Sequence, residues 1–360
     1  MEAHAEPAVR HGARQRLGAW IDERFGISGL AYPVPEHANG LAFTLGGITA
    51  GTFLLLVVTG VYLAQFYDPT VDAAHTSVTY IIDEAPLGRL VRSVHVWLST
   101  IFVVTLTLHL LRTFVTASFK RPREGTWLVG VLLFVSGAGL LFTGTILKWD
   151  QEAVEALEHN GELAKLFGLA GVWFTNEFAD NVSLLTRSYI AHVSILPLAV
   201  VALVGVHVLL VKRLRVSPLP WGSAAEVERR ERDEHRVPFT SHLARIGLWT
   251  GMALALALLL SAIWPAGLGP AGVGGIEITK PPWYFLWLYP LENWFGLNSL
   301  AVFPAVLIVG LLAVPWLDRS LERDPRRRKL WLTVTVLVLA AWAALTIFAW
   351  QTAIVEHIGM

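Results

Sequence analysis

The chain contains no cysteine. That excludes a thiolate-held Fe–S cluster, thioether-attached haem and any disulfide on this polypeptide. Charge is also scarce: Asp, Glu, Lys and Arg make up 16% of the residues and sum to zero. A sparse, balanced charge set carries no basic footprint for nucleic acid. Residues 1–40 are polar and lack the apolar core of a secretory signal. What is plentiful is apolar surface, because 54% of the 360 residues are hydrophobic. A water-soluble domain of this size does not carry that load without somewhere to put it.

The apolar residues fall into runs close to the ~20 residues that a bilayer-crossing helix requires. Seven such runs lie at about 41–64, 93–115, 126–147, 189–211, 244–264, 300–317 and 331–350. The pattern predicts an all-α integral membrane protein. The chain divides into an N-terminal segment 1–40, a four-helix module 41–213, a charged linker 214–242 and a three-helix module 243–360. Within the first segment, residues 14–26 read as a short amphipathic helix lying on the membrane surface. Many of the 15 Trp residues stand near predicted span ends, including Trp127, Trp149, Trp173, Trp283, Trp316, Trp331 and Trp350, as interfacial belts do.

Loop charge alternates. Lys120, Arg121 and Arg123 follow the second run, Lys212, Arg213 and Arg215 the fourth, and Arg326, Arg327, Arg328 and Lys329 the sixth. The intervening loops are acidic, with Asp68, Asp83, Glu84, Asp150, Glu152 and Glu155. The positive-inside rule then places the N-terminus and the basic loops in the cytoplasm and the acidic loops on the opposite, p side.

Four histidines stand inside these apolar runs: His95 and His109 in the second, His192 and His207 in the fourth. Separations of 14 and 15 residues are roughly 21–22 Å along a helix, and leave each pair within roughly 40–60° of one face. Ionisable groups at membrane depth are costly and mark function. Two facing helices so equipped suit two bis-imidazole haem irons stacked across the bilayer. Gly46 and Gly60 in the first run, and Gly130 and Gly144 in the third, repeat the 14-residue spacing. A missing Cβ lets a flat ring approach the backbone, although glycine is also common in membrane helices. Arg92 and Arg112 each lie three residues from a histidine, and Arg187 and Lys212 five. They can pair with haem propionates or simply snorkel at span ends. His4, His11, His75, His159 and His357 lie in loops or tails and read as solvent-exposed, with His75 placed to touch a partner.

Several stretches together resemble the cytochrome b of bc1- and b6f-type quinol:cytochrome c oxidoreductases. They are Arg-Ser-Val-His-Val-Trp at 92–97, His-Leu-Leu-Arg at 109–112, Phe-Lys-Arg-Pro-Arg-Glu-Gly-Thr-Trp at 119–127, Thr-Arg-Ser-Tyr-Ile-Ala-His at 186–192 and Lys-Pro-Pro-Trp-Tyr-Phe at 280–285. The 15-residue second spacing, Pro197 and three runs after the linker are similar to cytochrome b6 fused to subunit IV. The resemblance implies two non-covalent b-type haems, a p-side one on His95 and His192 and a cytoplasmic-side one on His109 and His207. It implies quinol oxidation on the p side, electron transfer across the membrane to a quinone, and proton release. The implied partners are a Rieske Fe–S protein, a c-type cytochrome, quinone, lipid and a second copy of the chain.

Departures from the family pattern cluster at the quinol pocket. Pro282 stands where a glutamate usually accepts a quinol proton, and Thr145 stands where a tyrosine is usual. Thr44 occupies the position of the cysteine that tethers an extra haem in the b6 branch. The pocket is expected to use Pro282, Trp283, Tyr284 and Tyr289, with Asp150, Glu152 or Glu155 as the replacement acid. Two other readings stay open: a di-haem anchor of a quinone-linked oxidoreductase without Rieske chemistry, and an ion-conducting bundle.

Overall fold

A computed structural model of the chain describes residues 13–357, so His4 and His11 lie outside the described residues. Helices account for almost all of the regular structure. They are α1 (Ala13–Phe25), α2 (Leu41–Leu63), α3 (Ala74–Asp83), α4 (Gly88–Val115), α5 (Glu124–Ile146), α6 (Gln151–Lys165), α7 (Leu184–Ile190), α8 (Leu196–Leu214), α9 (Ala224–Asp233), α10 (Phe239–Ile263), α11 (Tyr289–Phe295), α12 (Ser299–Leu317) and α13 (Lys329–Gln351). A π turn at Ala191–Ile195 joins α7 to α8, making one continuous helix Leu184–Leu214 of 31 residues. Among the described residues seven helices are long and apolar enough to cross a membrane, and they coincide with the seven apolar runs. Most extend past the predicted ends, because polar residues at a span terminus continue the helix into the interface.

These helices are apolar nearly all round, so packing selects which stripe is buried. Val94 and Leu98 of α4 meet Ala257 of α10, with Leu55 and Leu254 packed against them. The fifth span therefore packs directly on the first and second. Phe119, Trp127, Val131 and Val314 form a second core that joins α5 to α12. Trp127 donates from its indole N–H to Leu311 O at 2.7 Å. It bolts two spans together, whereas Trp316 and Trp350 are 54% and 75% exposed, as an interfacial belt requires.

The end carrying the basic loops is more ordered than charge alone suggests. Strand β1 (Pro33–Pro35) pairs antiparallel with β2 (Arg236–Pro238). A Ser223/Glu226 capping box starts α9, and the His37 ring lies 2.5 Å from Glu234. The linker 214–242 is thus stitched to the N-terminal segment. Lys120 reaches Asp318 at 2.9 Å, and Arg328 reaches the same carboxylate at 2.7 Å; all three are buried. This cluster fastens the loop between the second and third spans to the loop between the sixth and seventh. At the opposite end, α6 begins where Asp150 accepts a hydrogen bond from Ala153 N at 3.1 Å. The same Asp150 takes Gly269 N at 3.1 Å, tying α6 to the loop after α10.

Candidate functional site

The four membrane histidines meet in two pairs. Ring centroids of His95 and His192 are 6.5 Å apart, and those of His109 and His207 are 6.4 Å apart. Two ~2 Å metal–nitrogen bonds plus two ring radii span about 6 Å. Each pair is therefore spaced to hold one iron between imidazoles.

The unequal spacings of 14 and 15 residues become equivalent through the π turn. Pro197 has no N–H to give to the carbonyl four residues back. The backbone just before it widens, and Leu196 N bonds to Ala191 O five residues earlier. A π turn spends one residue more than an α turn. Fifteen residues along this helix thus advance its face about as far as 14 do on α4, and both histidines face α4 in step.

Threonines orient the acidic-end pair. Thr59 Oγ1 lies 2.8 Å from His95 Nδ1, and Thr143 Oγ1 lies 2.9 Å from His192 Nδ1. Each hydroxyl already donates its single hydrogen to a carbonyl, Leu55 O and Gly139 O, at 2.9 and 2.8 Å. Each must then accept from Nδ1–H, which leaves the Nε2 lone pair free for a metal. The basic-end pair has no such brace at His109, whose Nδ1 is buried without a hydrogen bond.

All four glycines face histidine rings. A Cβ on Gly46 would lie 2.8 Å from His109 Cε1, on Gly144 3.0 Å from His192, on Gly60 3.4 Å from His95 and on Gly130 3.5 Å from His207. The missing side chains let the imidazoles themselves lie against α2 and α5.

The cations divide. Arg92 donates to Ala266 O and Gly267 O at 2.7 and 2.9 Å, so it clamps the loop after α10. Arg187 donates to Trp173 O and Thr175 O. These contacts differ from the propionate pairing expected of both. Lys212 is exposed and sits over the Tyr32 ring at 5.4 Å. Arg112 alone of the four keeps two buried guanidinium nitrogens, Nε and Nη2, without partners, and it stacks over Phe43 at 3.7 Å. A buried cation with free donors beside His109 is what an anionic propionate requires. Spacing, tautomer, glycine clearance and the free Arg112 donors all fit b-type haem.

A cavity of about 460 Å³ opens beside His95 and His192, and Pro282, Trp283, Tyr284 and Glu152 line it. One space thus serves both the acidic-end histidines and the pocket loop. Thr145 spends its hydrogen on Leu141 O, so it accepts from Tyr284 OH at 3.0 Å. Burial pushes the Tyr284 hydroxyl up to about 12, and it remains a donor at neutral pH.

Three expected pocket residues turn elsewhere. Glu155 is buried and accepts from Gln151 Nε2, Ile278 N, Thr279 N and Thr279 Oγ1, at 2.9, 2.8, 3.1 and 2.5 Å. A carboxylate so occupied clamps α6 to the pocket loop. Asp150 is a helix cap. Tyr289 OH receives Val355 N at 2.7 Å and so holds the C-terminal tail. Glu152 differs from all three. Its Oε2 pairs with Lys148 at 2.7 Å, while its Oε1 is buried with no hydrogen bond. Burial raises the Glu152 carboxyl above its ordinary range against the pull of Lys148.

Sequence reasoning missed two contacts. His75 bonds to Gly269 O at 3.0 Å and so holds the chain's own loop. His159 and His357, 198 positions apart by their numbers, meet Glu277 and Glu292 in a buried cluster. Only the tertiary fold brings these two histidines together; their one local signal was a His on the acidic helix α6.

Seven spans with paired imidazoles between the second and fourth define a membrane protein of the b-type haem class. The family described as Cytochrome b/b6/petB matches residues 30–215, and Cytochrome b(C-terminal)/b6/petD matches residues 276–358. The chain belongs to the cytochrome b/b6 family. It is 36% identical over 203 residues to cytochrome b6 of Heliobacterium mobile, covering 54% of this chain and 95% of that protein. It is 29% identical over 349 residues to the cytochrome bc complex cytochrome b subunit of Chlorobaculum thiosulfatiphilum, covering 91% of this chain and 79% of that one. The menaquinol:cytochrome c reductase cytochrome b subunit of Bacillus subtilis is 32% identical over 214 residues, covering 55% of this chain and 96% of its own length. A solved chain of a hyperthermophilic respiratory Complex III superposes with a TM-score of 0.79 at 26% identity, covering 93% of this chain and 91% of that one.

Proposed function

We propose that this chain is the cytochrome b subunit of a bc-type quinol:cytochrome c reductase complex. The observation that carries the reading is a single cavity shared by the His95/His192 pair and the Pro282–Tyr284 loop. Relatives named as bc-complex and menaquinol:cytochrome c reductase subunits support it. The N-terminal module 41–213 supplies both histidine pairs, and the module 243–360 supplies the pocket loop. The basic loops and the N-terminus face the cytoplasm, and the acidic end faces the p side. A Rieske Fe–S protein, a c-type cytochrome and a second copy of the chain complete the assembly.

Haem iron bound at the two pairs supplies one-electron transfer across the bilayer. The chain's own part is to hold, orient and deprotonate. Thr59 and Thr143 fix the tautomer of the p-side ligands, and Arg112 offers its free donors beside His109. Quinol enters the p-side cavity, where Trp283 and Pro282 form wall and Tyr284 orients through Thr145. Glu152, which lines the cavity and keeps its buried Oε1 without a hydrogen bond, accepts a quinol proton in place of the usual glutamate, whose position Pro282 holds. Lys148 balances the resulting charge changes at Glu152. A quinone site at the cytoplasmic face lies near Lys212 and Arg213.

Purification with a haem and subunit inventory tests the assignment: two b haems per chain and a co-purifying Fe–S protein are expected. One haem, or two haems without an Fe–S partner, overturns the bc-complex reading. Glu152→Gln is expected to lower quinol turnover by about 10²–10⁴-fold, the usual contribution of a positioned base. Unchanged turnover removes Glu152 from the mechanism.

A further inference from the structure

A buried cluster at the acidic end joins four separate segments: His159 on α6, Glu277 before the pocket loop, Glu292 on α11 and His357 in the tail after α13. His159 Nε2 lies 3.3 Å from Glu292 Oε1 and 3.9 Å from Glu277 Oε2. His357 Nδ1 lies 3.1 Å from Glu277 Oε2 and 4.0 Å from Glu292 Oε2. One ligand atom each from His159, Glu277 and His357 lies within 4.8 Å of the others. Ligand atoms on a tetrahedral ion with ~2.0–2.2 Å bonds stand ~3.3–3.6 Å apart. The observed separations bracket that range.

The other ring nitrogens point to a metal independently. His159 Nδ1 lies 2.7 Å from Glu155 O, and a carbonyl can only accept. His357 Nε2 lies 2.6 Å from Asn293 Oδ1, again an acceptor. Each ring therefore donates on the side away from the cluster and in its neutral form turns a bare nitrogen inward. This is the support that metal-bound histidines receive from surrounding carbonyls. Glu292, 4% exposed, has its Oε1 buried without a hydrogen bond. Two bare nitrogens facing two carboxylates repel unless a cation lies between them.

We propose that His159, Glu277, Glu292 and His357 bind one divalent transition-metal ion, with zinc suited to the ligand set. Two imidazoles and two carboxylates match borderline ions better than Ca²⁺ or Mg²⁺, which take oxygen shells. Four protein ligands close the coordination sphere, so the ion is structural. It clasps the C-terminal tail to α6 and to both ends of the segment that carries Pro282–Tyr284. Lys280 reinforces the clasp, donating to Ala349 O at 2.8 Å and to Thr352 O at 2.5 Å.

The test uses the purified complex, stripped with a chelator and then offered Zn²⁺ alone. Elemental analysis is expected to find about one more zinc per chain in the wild type than in His159→Gln/His357→Gln. Zinc X-ray absorption of the wild type is expected to show a nitrogen and oxygen shell, including imidazole, at ~2.0–2.2 Å. Tail cleavage by carboxypeptidase is expected to slow when zinc is loaded. Equal zinc in wild type and double variant overturns the proposal. So does a wild type that retains none, which makes protons the cations of this cluster. If the double variant does not assemble, the wild-type absorption spectrum decides: an imidazole-containing shell supports the site, and its absence refutes it.

Discussion

Alanine at Gly46 puts a methyl group 2.8 Å from His109 Cε1, against an ordinary contact distance of 3.4–4 Å. The His109 ring is paired with His207 at 6.4 Å between centroids, and either α2 or the imidazole must shift by more than half an ångström to clear the methyl group. Overpacking of this kind costs about 1–3 kcal/mol. Alanine returns about 1 kcal/mol through helix propensity, so the net loss is up to about 2 kcal/mol. That is up to ~30-fold weaker haem retention at the basic-end pair. Gly144→Ala, at 3.0 Å from His192, is expected to weaken the acidic-end pair somewhat less. Gly60 and Gly130, at 3.4 and 3.5 Å, leave room for a methyl group, so alanine there is neutral or slightly stabilising. Each histidine pair thus has one tight glycine and one loose one. Haem per chain by pyridine haemochrome, with a potentiometric titration to separate the two haems, reads the series. Full haem content in Gly46→Ala beside a loss in Gly130→Ala would refute the contact ranking and the reasoning behind it.

Thr59→Val removes the acceptor for His95 Nδ1–H and is expected to weaken the acidic-end haem by about 10–100-fold, leaving the other untouched; haem titration of the variant checks this. Asp318→Asn leaves Lys120 and Arg328, 7% and 4% exposed, facing each other without their shared anion. A loss of about 3–5 kcal/mol is expected, read as a lower thermal midpoint of the purified protein, and an unchanged midpoint would discard the buried-cluster account. Burial raises the Glu152 carboxyl, and a base must be ionised to accept a proton. Quinol turnover is therefore expected to rise with pH through a value above the ordinary glutamate range of ~4.3. Glu152→Gln should abolish that acidic limb, and its survival in the variant would assign it to another group.

The seven spans were legible because a bilayer demands long apolar helices, and that demand is written one residue after another. The histidine and glycine spacings were legible for the same reason: a helix converts position in the chain into position along an axis. The pocket was only partly legible. Asp150, Glu152 and Glu155 look interchangeable as three acids within six residues. Two are consumed by backbone N–H groups from the loop after α10, and only Glu152, which lines the cavity, keeps an oxygen without a hydrogen bond. Those N–H groups lie more than a hundred residues away, and nothing near the acids announces them.

By itself, then, the chain's order determined that this is a membrane protein with paired imidazoles at two depths, since both follow from local periodicity. Tertiary structure decided what periodicity cannot carry. The π turn before Pro197 brings a 15-residue spacing into phase with a 14-residue one. Arg92 and Arg187 become loop clamps while Arg112 keeps two buried donors without partners. His159 and His357, 198 positions apart in the chain, share one buried cluster. Each outcome depends on which distant carbonyl, carboxylate or amide arrives first at a buried polar atom, and only the packed fold sets that.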